Sequence, residues 1–208
     1  MSRFIRKKGS SANPDKPFLE FDKKDSEDRV FSLLSNKEDV IAIFPGASVN
    51  ERKWGGNNYG LVAGRLHKQG YECIVLGSAG DKDDAGNIRI REPDAVDLTG
   101  RTALDEVAYI LKKVRLLITA DSGLMHIACA VGTPTVSLFG SGIEKKWAPR
   151  GEKHVVINKH LACSPCTRFG YTPRCKRGVE CLSSISVEEV YEATSRLLER
   201  TCPSNVSL

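Results

Sequence analysis

Long apolar runs are missing from this 208-residue chain. Segments such as Leu116-Leu117-Ile118 fall far short of the ~20 residues a membrane-spanning helix needs, which excludes a helical integral membrane class. The basic start, with Arg3, Arg6, Lys7 and Lys8, has no apolar stretch after it, so it does not read as a secretory signal. The expectation is a soluble, intracellular protein. Two glycine signatures are absent as well. There is no G-x-x-x-x-G-K-[ST], which excludes a P-loop, and no G-x-G-x-x-G after a strand, which argues against an NAD-type dinucleotide fold. No internal repeat is visible.

What is present is ordinary globular usage: 40% apolar and 27% charged residues, which excludes collagenous and wholly disordered chains. The net charge of +5 is uneven. Residues 1–8 contribute +4 and residues 140–181 contribute +6, leaving −5 for the remainder. A basic local field suits phosphates, anionic lipid or nucleic acid, although by itself the charge run favours a solvated surface.

Residues 1–37 read as an arm or linker, with Val30, Phe31, Leu33 and Leu34 forming a short helix. Strand and helix signals then alternate. Val40 to Phe44 is a short β-branched run closed by Pro45-Gly46. Tyr59, Val62, Ala63 and Leu66 have i, i+3, i+4, i+7 spacing, and Gly70 stops that helix. Cys73 to Leu76 is a second strand. Leu104, Val107, Ala108 and Leu111 are helical, with Thr102 and Asp105 as a capping pair. Leu116 to Thr119 and Pro134 to Phe139 are further strands, separated by a small-residue helix from about Gly123 to Val131. Ser186 and Glu189 open a last helix striped by Val187, Val190, Tyr191, Thr194, Leu197 and Leu198. Such alternation predicts an α/β class, a Rossmann-like doubly wound parallel sheet over residues 38–200, with residues 201–208 as a tail.

Ligands of such sheets bind beyond the carboxyl ends of the strands, so the loops there carry the functional candidates. After the first strand, Gly46 permits close backbone approach, Ser48 offers a hydroxyl and Lys53 a cation, a set that suits a diphosphate. After the second, Asp81 can accept from a ribose or cap the next segment, and the cap is the better reading. After Leu116 to Thr119 comes Asp121-Ser122-Gly123-Leu124-Met125-His126. Free N–H groups and the positive dipole end at that helix start make an anion site, with His126 about one turn further on. A lone Asp or His is more often structural, but the whole run directly after a strand favours function. Phe139-Gly140-Ser141-Gly142 is a turn that either helps hold a diphosphate or only reverses the chain.

Taken in order, Pro45-Gly46-Ala47-Ser48 with Lys53-Trp54, Leu76-Gly77 with Asp81, Asp97-Leu98-Thr99-Gly100 with Thr102-Ala103-Leu104-Asp105-Glu106, Asp121 to Ala128, and Gly132-Thr133-Pro134 to Gly140 resemble glycosyltransferase family 9. These are the ADP-heptose:lipopolysaccharide heptosyltransferases. The resemblance implies a GT-B enzyme of two Rossmann-like domains, of which this chain matches the C-terminal, donor-binding half. It implies Gly46, Ser48, Lys53, Asp81, Asp121, Ser122, Gly123 and His126 around an ADP-sugar, with Lys53, Asp121 and His126 closest to the chemistry. It implies inverting transfer without a required cofactor or metal, a heptose-type sugar as cargo and a lipopolysaccharide core acceptor. The acceptor contacts and general base belong to an N-terminal half that residues 1–37 are too few to supply. The implied location is the cytoplasm, with the inner face of the inner membrane as a candidate site of action.

Seven cysteines complete the inventory. Cys73 and Cys129 lie in apolar segments and read as buried free thiols. Cys163-x2-Cys166-x8-Cys175-x5-Cys181 falls within a cysteine-rich loop, residues 160–182, and supplies enough thiols for a tetrahedral zinc site. Reduced thiols packing a loop, or disulfides, are the alternatives. Arg168, Arg174, Lys176 and Arg177 interleave with them and either face an anionic acceptor or are solvated. Two other functional classes stay open: a nucleotide-binding module without turnover that needs a separate partner half, and a nucleic-acid-binding zinc ribbon. Nucleic acid is not the expected partner.

Overall fold

The computed structural model describes residues 29–30, 32–34 and 39–201. Six strands, β1 (Val40–Phe44), β2 (Glu72–Val75), β3 (Val96–Asp97), β4 (Leu116–Ala120), β5 (Thr135–Phe139) and β6 (His154–Asn158), form one sheet. Its order is β3-β2-β1-β4-β5-β6 and every neighbouring pair is parallel. The helices are α1 (Gly56–His67), α2 (Lys82–Arg91), α3 (Leu104–Lys113), α4 (Gly123–Val131), α5 (Glu144–Trp147), α6 (Glu180–Ser183) and α7 (Val187–Thr201). The predicted doubly wound α/β class is the observed one.

Alternation along β1 explains why helices cover both faces. Ile41 and Ile43 join Leu116, Ile118, Val136 and Leu138 in one core, under Tyr59, Val62 and Leu66 of α1 and Leu197 and Leu198 of α7. Val40, Ala42 and Phe44 face the opposite core, under Val107, Ile110 and Leu111 of α3 and Ala128 and Val131 of α4. Val30 and Leu34 are buried in that second core, and residues 29–30 and 32–34 are helical, as the apolar spacing predicts. Of the expected arm, residues 1–28, 31 and 35–37 lie outside the described residues.

Helix ends follow local chemistry, with one correction. Ser186 and Glu189 make a reciprocal cap on α7: Glu189 Oε2 accepts from Ser186 N at 2.8 Å, and Ser186 Oγ accepts from Glu189 N at 3.2 Å. At α3, Ala103 N donates to Glu106 Oε2 at 2.7 Å, so Glu106 closes the turn and Thr102–Asp105 is not the pair. Thr102 sits a residue too early, before the Ala103 position from which the helix turns. Gly132 ends α4 in the left-handed region (φ 83°), which costs glycine nothing. β6 and α2 carry weaker periodicity and appear only in three dimensions.

Candidate functional site

The strand order reverses direction between β1 and β4, and in such sheets the crevice beyond that point takes the ligand. Phe44 and Thr119 are register partners there, so the loops that follow them open side by side. Between them lies a cavity of about 610 Å³. Its walls include Ser48 and Arg52 from the first loop, Gly77, Ser78 and Asp81 after β2, and Thr102, Leu104 and Val107 at α3. Asp121, Ser122, Gly123, Leu124 and His126 after β4, with Trp147, complete it.

Asp121 is only 5% exposed, and its Oδ2 lies 3.3 Å from Arg52 Nη1. Burial pushes its carboxyl above the usual range, while Arg52 and His126 pull it back. Asp121 Oδ2 and Arg52 Nε have no hydrogen-bond partner, so the ion pair leaves polar capacity at the cavity wall. Gly142 is packed so tightly against this carboxylate that a Cβ there would stand 1.9 Å from Oδ2. That contact gives the glycine turn after β5 a definite task.

Ser122 is the N-cap of α4. Its Oγ accepts from Met125 N at 3.3 Å and shares a hydrogen bond with Thr119 Oγ1 at 3.0 Å. The serine therefore fixes the helix start, and the N–H groups of Gly123 and Leu124, which an α-helix cannot satisfy internally, belong to residues on the cavity wall. His126, exposed, meets Trp147 edge-on with ring centroids 5.8 Å apart.

Asp81 lines the cavity and also ties the turn that precedes it. Its Oδ2 accepts from both N and Oγ of Ser78 at 2.8 Å, tightening the turn after β2. Its Oδ1 leans on Gly46, where a Cβ would come within 2.4 Å. Gly46 is thus small because Asp81 and the Phe44 ring crowd it, and it backs the cavity without lining it.

Lys53 stands apart from the rest of the expected set. Its Nζ pairs with Asp84 Oδ2 at 2.9 Å, at the start of α2, and the residue does not line the cavity. The preceding residue, Arg52, turns in instead. Asn50–Arg52 is a short 3-10 turn, and Lys53 leaves it in an extended conformation, so adjacent cations face opposite ways. Among the described residues Arg52 is the one Lys or Arg on the cavity wall. Sequence spacing could not choose between them. Trp147, Thr102 and Leu104 were also outside the candidate set, because their loops gave no anion-binding signal.

Sheet order and crevice define a Rossmann-like α/β domain of the kind that makes up half of a GT-B protein. The family model of glycosyltransferase family 9 (heptosyltransferase) matches residues 7–175, and the chain belongs to that family. It is 33% identical over 132 residues to lipooligosaccharide heptosyltransferase 2 of Haemophilus influenzae, covering 61% of this chain and 38% of that protein. It is 31% identical over 130 residues to lipopolysaccharide heptosyltransferase 2 of Escherichia coli K12, covering 60% and 37%. The solved ADP-heptose lps heptosyltransferase II of E. coli superposes with a TM-score of 0.72 at 25% identity, covering 88% of this chain and 53% of that one. The chain thus spans about half or less of the relatives it matches. Among the described residues, no helix is long and apolar enough to cross a membrane.

Proposed function

We propose that this chain is the donor-binding half of an inverting glycosyltransferase that moves a heptose-type sugar from an ADP-sugar to a lipopolysaccharide-type acceptor. The observation that carries this is the Arg52–Asp121 pair facing the start of α4 across one cavity at the β1/β4 reversal. The nucleoside lies along Phe44, Leu104, Val107 and Leu124, where the wall is apolar. The diphosphate lies on the Gly123 and Leu124 N–H groups, with Arg52 as its cation. The sugar extends toward Asp121, His126 and Trp147. Likeness to the ADP-heptose lps heptosyltransferase II of E. coli supports the choice of ADP and heptose.

The chemistry follows from charge. An acceptor hydroxyl attacks the anomeric carbon as the bond from that carbon to the diphosphate oxygen breaks, and the electron pair leaves with ADP. Arg52 and the helix N–H groups stand where that negative charge grows, so they stabilise the transition state more than the neutral sugar end. The base that takes the acceptor proton is not among the residues assigned. Ser48 adds a hydroxyl donor at the rim.

Calorimetry with ADP, UDP and a short DNA duplex tests the donor assignment. ADP should bind best, and both Arg52→Ala and Asp121→Asn should weaken it. Binding of DNA in place of ADP would refute the assignment. Incubation with an ADP-sugar and a core acceptor, with and without the N-terminal half of a relative, separates an enzyme from a nucleotide-binding module.

A further inference from the structure

Four of the cysteines occupy a place that the donor cavity does not use. Cys163, Cys166, Cys175 and Cys181 all line a second cavity of about 210 Å³, walled on one side by Glu51. All four are free thiols in the structure. The segment that carries the first three runs from the end of β6 to the start of α6, and its only regular feature is an isolated Arg168–Tyr171 bridge. Structureless loops of that length are uncommon in a compact domain unless something organises them. Apolar packing does little of it here. Leu161 and Val179 touch the core, while Phe169 and Tyr171 are exposed.

We propose that Cys163, Cys166, Cys175 and Cys181 form a tetrathiolate site for one thiophilic divalent metal ion of the Zn2+ class, which ties the irregular segment 160–179 to α6, beside the turn carrying Glu51 and Arg52. Several contacts hold Cys175 and Cys181 beside this cavity. Cys175 N donates to Glu51 Oε1 at 3.2 Å, and Arg177 N donates to Cys175 Sγ at 3.3 Å. Gly140 makes room for the Cys181 sulfur, since a Cβ there would lie 2.7 Å from it. Among the described residues no three of the sulfurs come within 4.8 Å of one another. Metal–sulfur bonds of about 2.3 Å require the sulfurs to close to roughly 3.8 Å, a rotation of side chains that already share one small cavity. On binding, each thiol gives its proton to solvent as a sulfur–metal bond forms, and no electron is transferred. Four thiolates and a divalent ion leave a charge of −2, and Arg174, Lys176 and Arg177 line the same cavity to offset it.

The same segment reaches the donor cavity. Thr167 N donates to Ser141 O at 3.0 Å, and Arg52 Nη2 lies 3.4 Å from Thr172 Oγ1. The cross-linked segment therefore abuts the residue that pairs with Asp121. The site itself stands apart from the donor assignment, because its readout needs no nucleotide.

Titration of the full 208-residue chain, reduced and freed of metal, with Co2+ tests the proposal. The expected result is a saturable sulfur-to-cobalt charge-transfer band with tetrahedral d–d bands, complete at one ion per chain and displaced by Zn2+. Four of the seven thiols should then stop reacting with a chromogenic disulfide. Serine at any of the four positions should weaken the ion at least about tenfold, the scale of loss seen even for outer partners of metal ligands. Cys73→Ser should leave the spectrum intact. Trypsin should cut at Arg168, Arg174 and Lys176 more slowly with metal bound. Reduced wild-type protein that gives no tetrahedral thiolate spectrum overturns the proposal whatever the variants do, as do serine variants that keep wild-type affinity. Recovery of these cysteines as disulfides from protein prepared without air also overturns it.

Discussion

Asp121 and Ser122 inherit their positions from β4, whose register against β1 and β5 is fixed by buried apolar residues on both faces. Cys163, Cys166 and Cys175 lie on a segment with neither helix nor strand, held by hydrogen bonds to the Glu51 carboxylate and to the main-chain oxygens of Ser141 and Gly140. The two regions meet at one short turn, Asn50–Arg52, which sends Arg52 to the crevice and Glu51 to the thiols. A ligand site built on strand ends has its geometry set by the core. One built on an irregular loop depends on its own cross-links. Changes at the crevice should therefore alter binding while the fold persists, and changes at the thiols should loosen the loop first.

Arg52→Ala is the sharpest way to break this division. It strips the cation from a buried carboxylate and removes the cation from the cavity wall. ADP affinity measured by calorimetry should fall about 30-fold or more, on the order of 2 kcal/mol or above. Arg52→Lys should recover only part, because an ammonium lacks the fork that can hold Asp121 and a phosphate together. Unchanged ADP binding in the alanine variant would remove the crevice from the account.

Gly142→Ala comes next. The new methyl would stand 1.9 Å from Asp121 Oδ2, so the carboxylate or the turn must move. Thermal or denaturant unfolding should show a loss of about 1–3 kcal/mol, the usual cost of overpacking, together with weaker ADP binding. Full stability with normal binding would mean that the turn yields freely.

The pH dependence separates two carboxylates of opposite sign. Asp121 is raised, chiefly by burial, so its contribution to stability is most favourable below the ordinary carboxylate range and is lost as pH rises through its raised value. Asp121→Asn should accordingly make the ligand-free protein more stable at neutral pH, while ADP binds less well. Glu189 is lowered, first by its bond to Lys159 and then by Ser186 N. Its contribution is present above the ordinary glutamate range and fades as pH falls through its depressed value. Melting temperatures of wild type, Asp121→Asn and Glu189→Gln across pH 3 to 8 (about that range) should show the two trends running oppositely, the second being small because Glu189 is partly exposed.

Lys53→Ala should have the smallest effect. Its ammonium is engaged with Asp84 in a partly exposed pair, so ADP affinity should change by less than about threefold, within the ~1 kcal/mol such a pair is worth. A loss as large as that of Arg52→Ala would show that Lys53 swings into the crevice when nucleotide arrives.

These contrasts follow how legible each part was in the chain. The run after β4 could be read because a buried strand, a capping serine and a helix dipole are consecutive in sequence, and their joint consequence is local. The α1 stripe of Tyr59, Val62, Ala63 and Leu66 was equally plain, and all four are buried. β6 was not, since His154 to Asn158 is only half-buried and reads as neither strand nor helix. The choice between Arg52 and Lys53 was illegible for another reason. Both are one residue apart on a turn, and the partner that captures each, Asp121 or Asp84, is supplied by a distant segment.

By itself the sequence determined the alternation of short strands and amphipathic helices, and with it a parallel sheet and the strand ends where a ligand must sit, because hydrophobic periodicity and capping act within a few residues. Only the tertiary structure decided which cation faces that crevice, that Asp81 crowds Gly46, and that the four thiols share one cavity with Glu51. Those outcomes depend on contacts between segments more than thirty residues apart, and no local pattern encodes which of two neighbouring side chains a remote partner will reach.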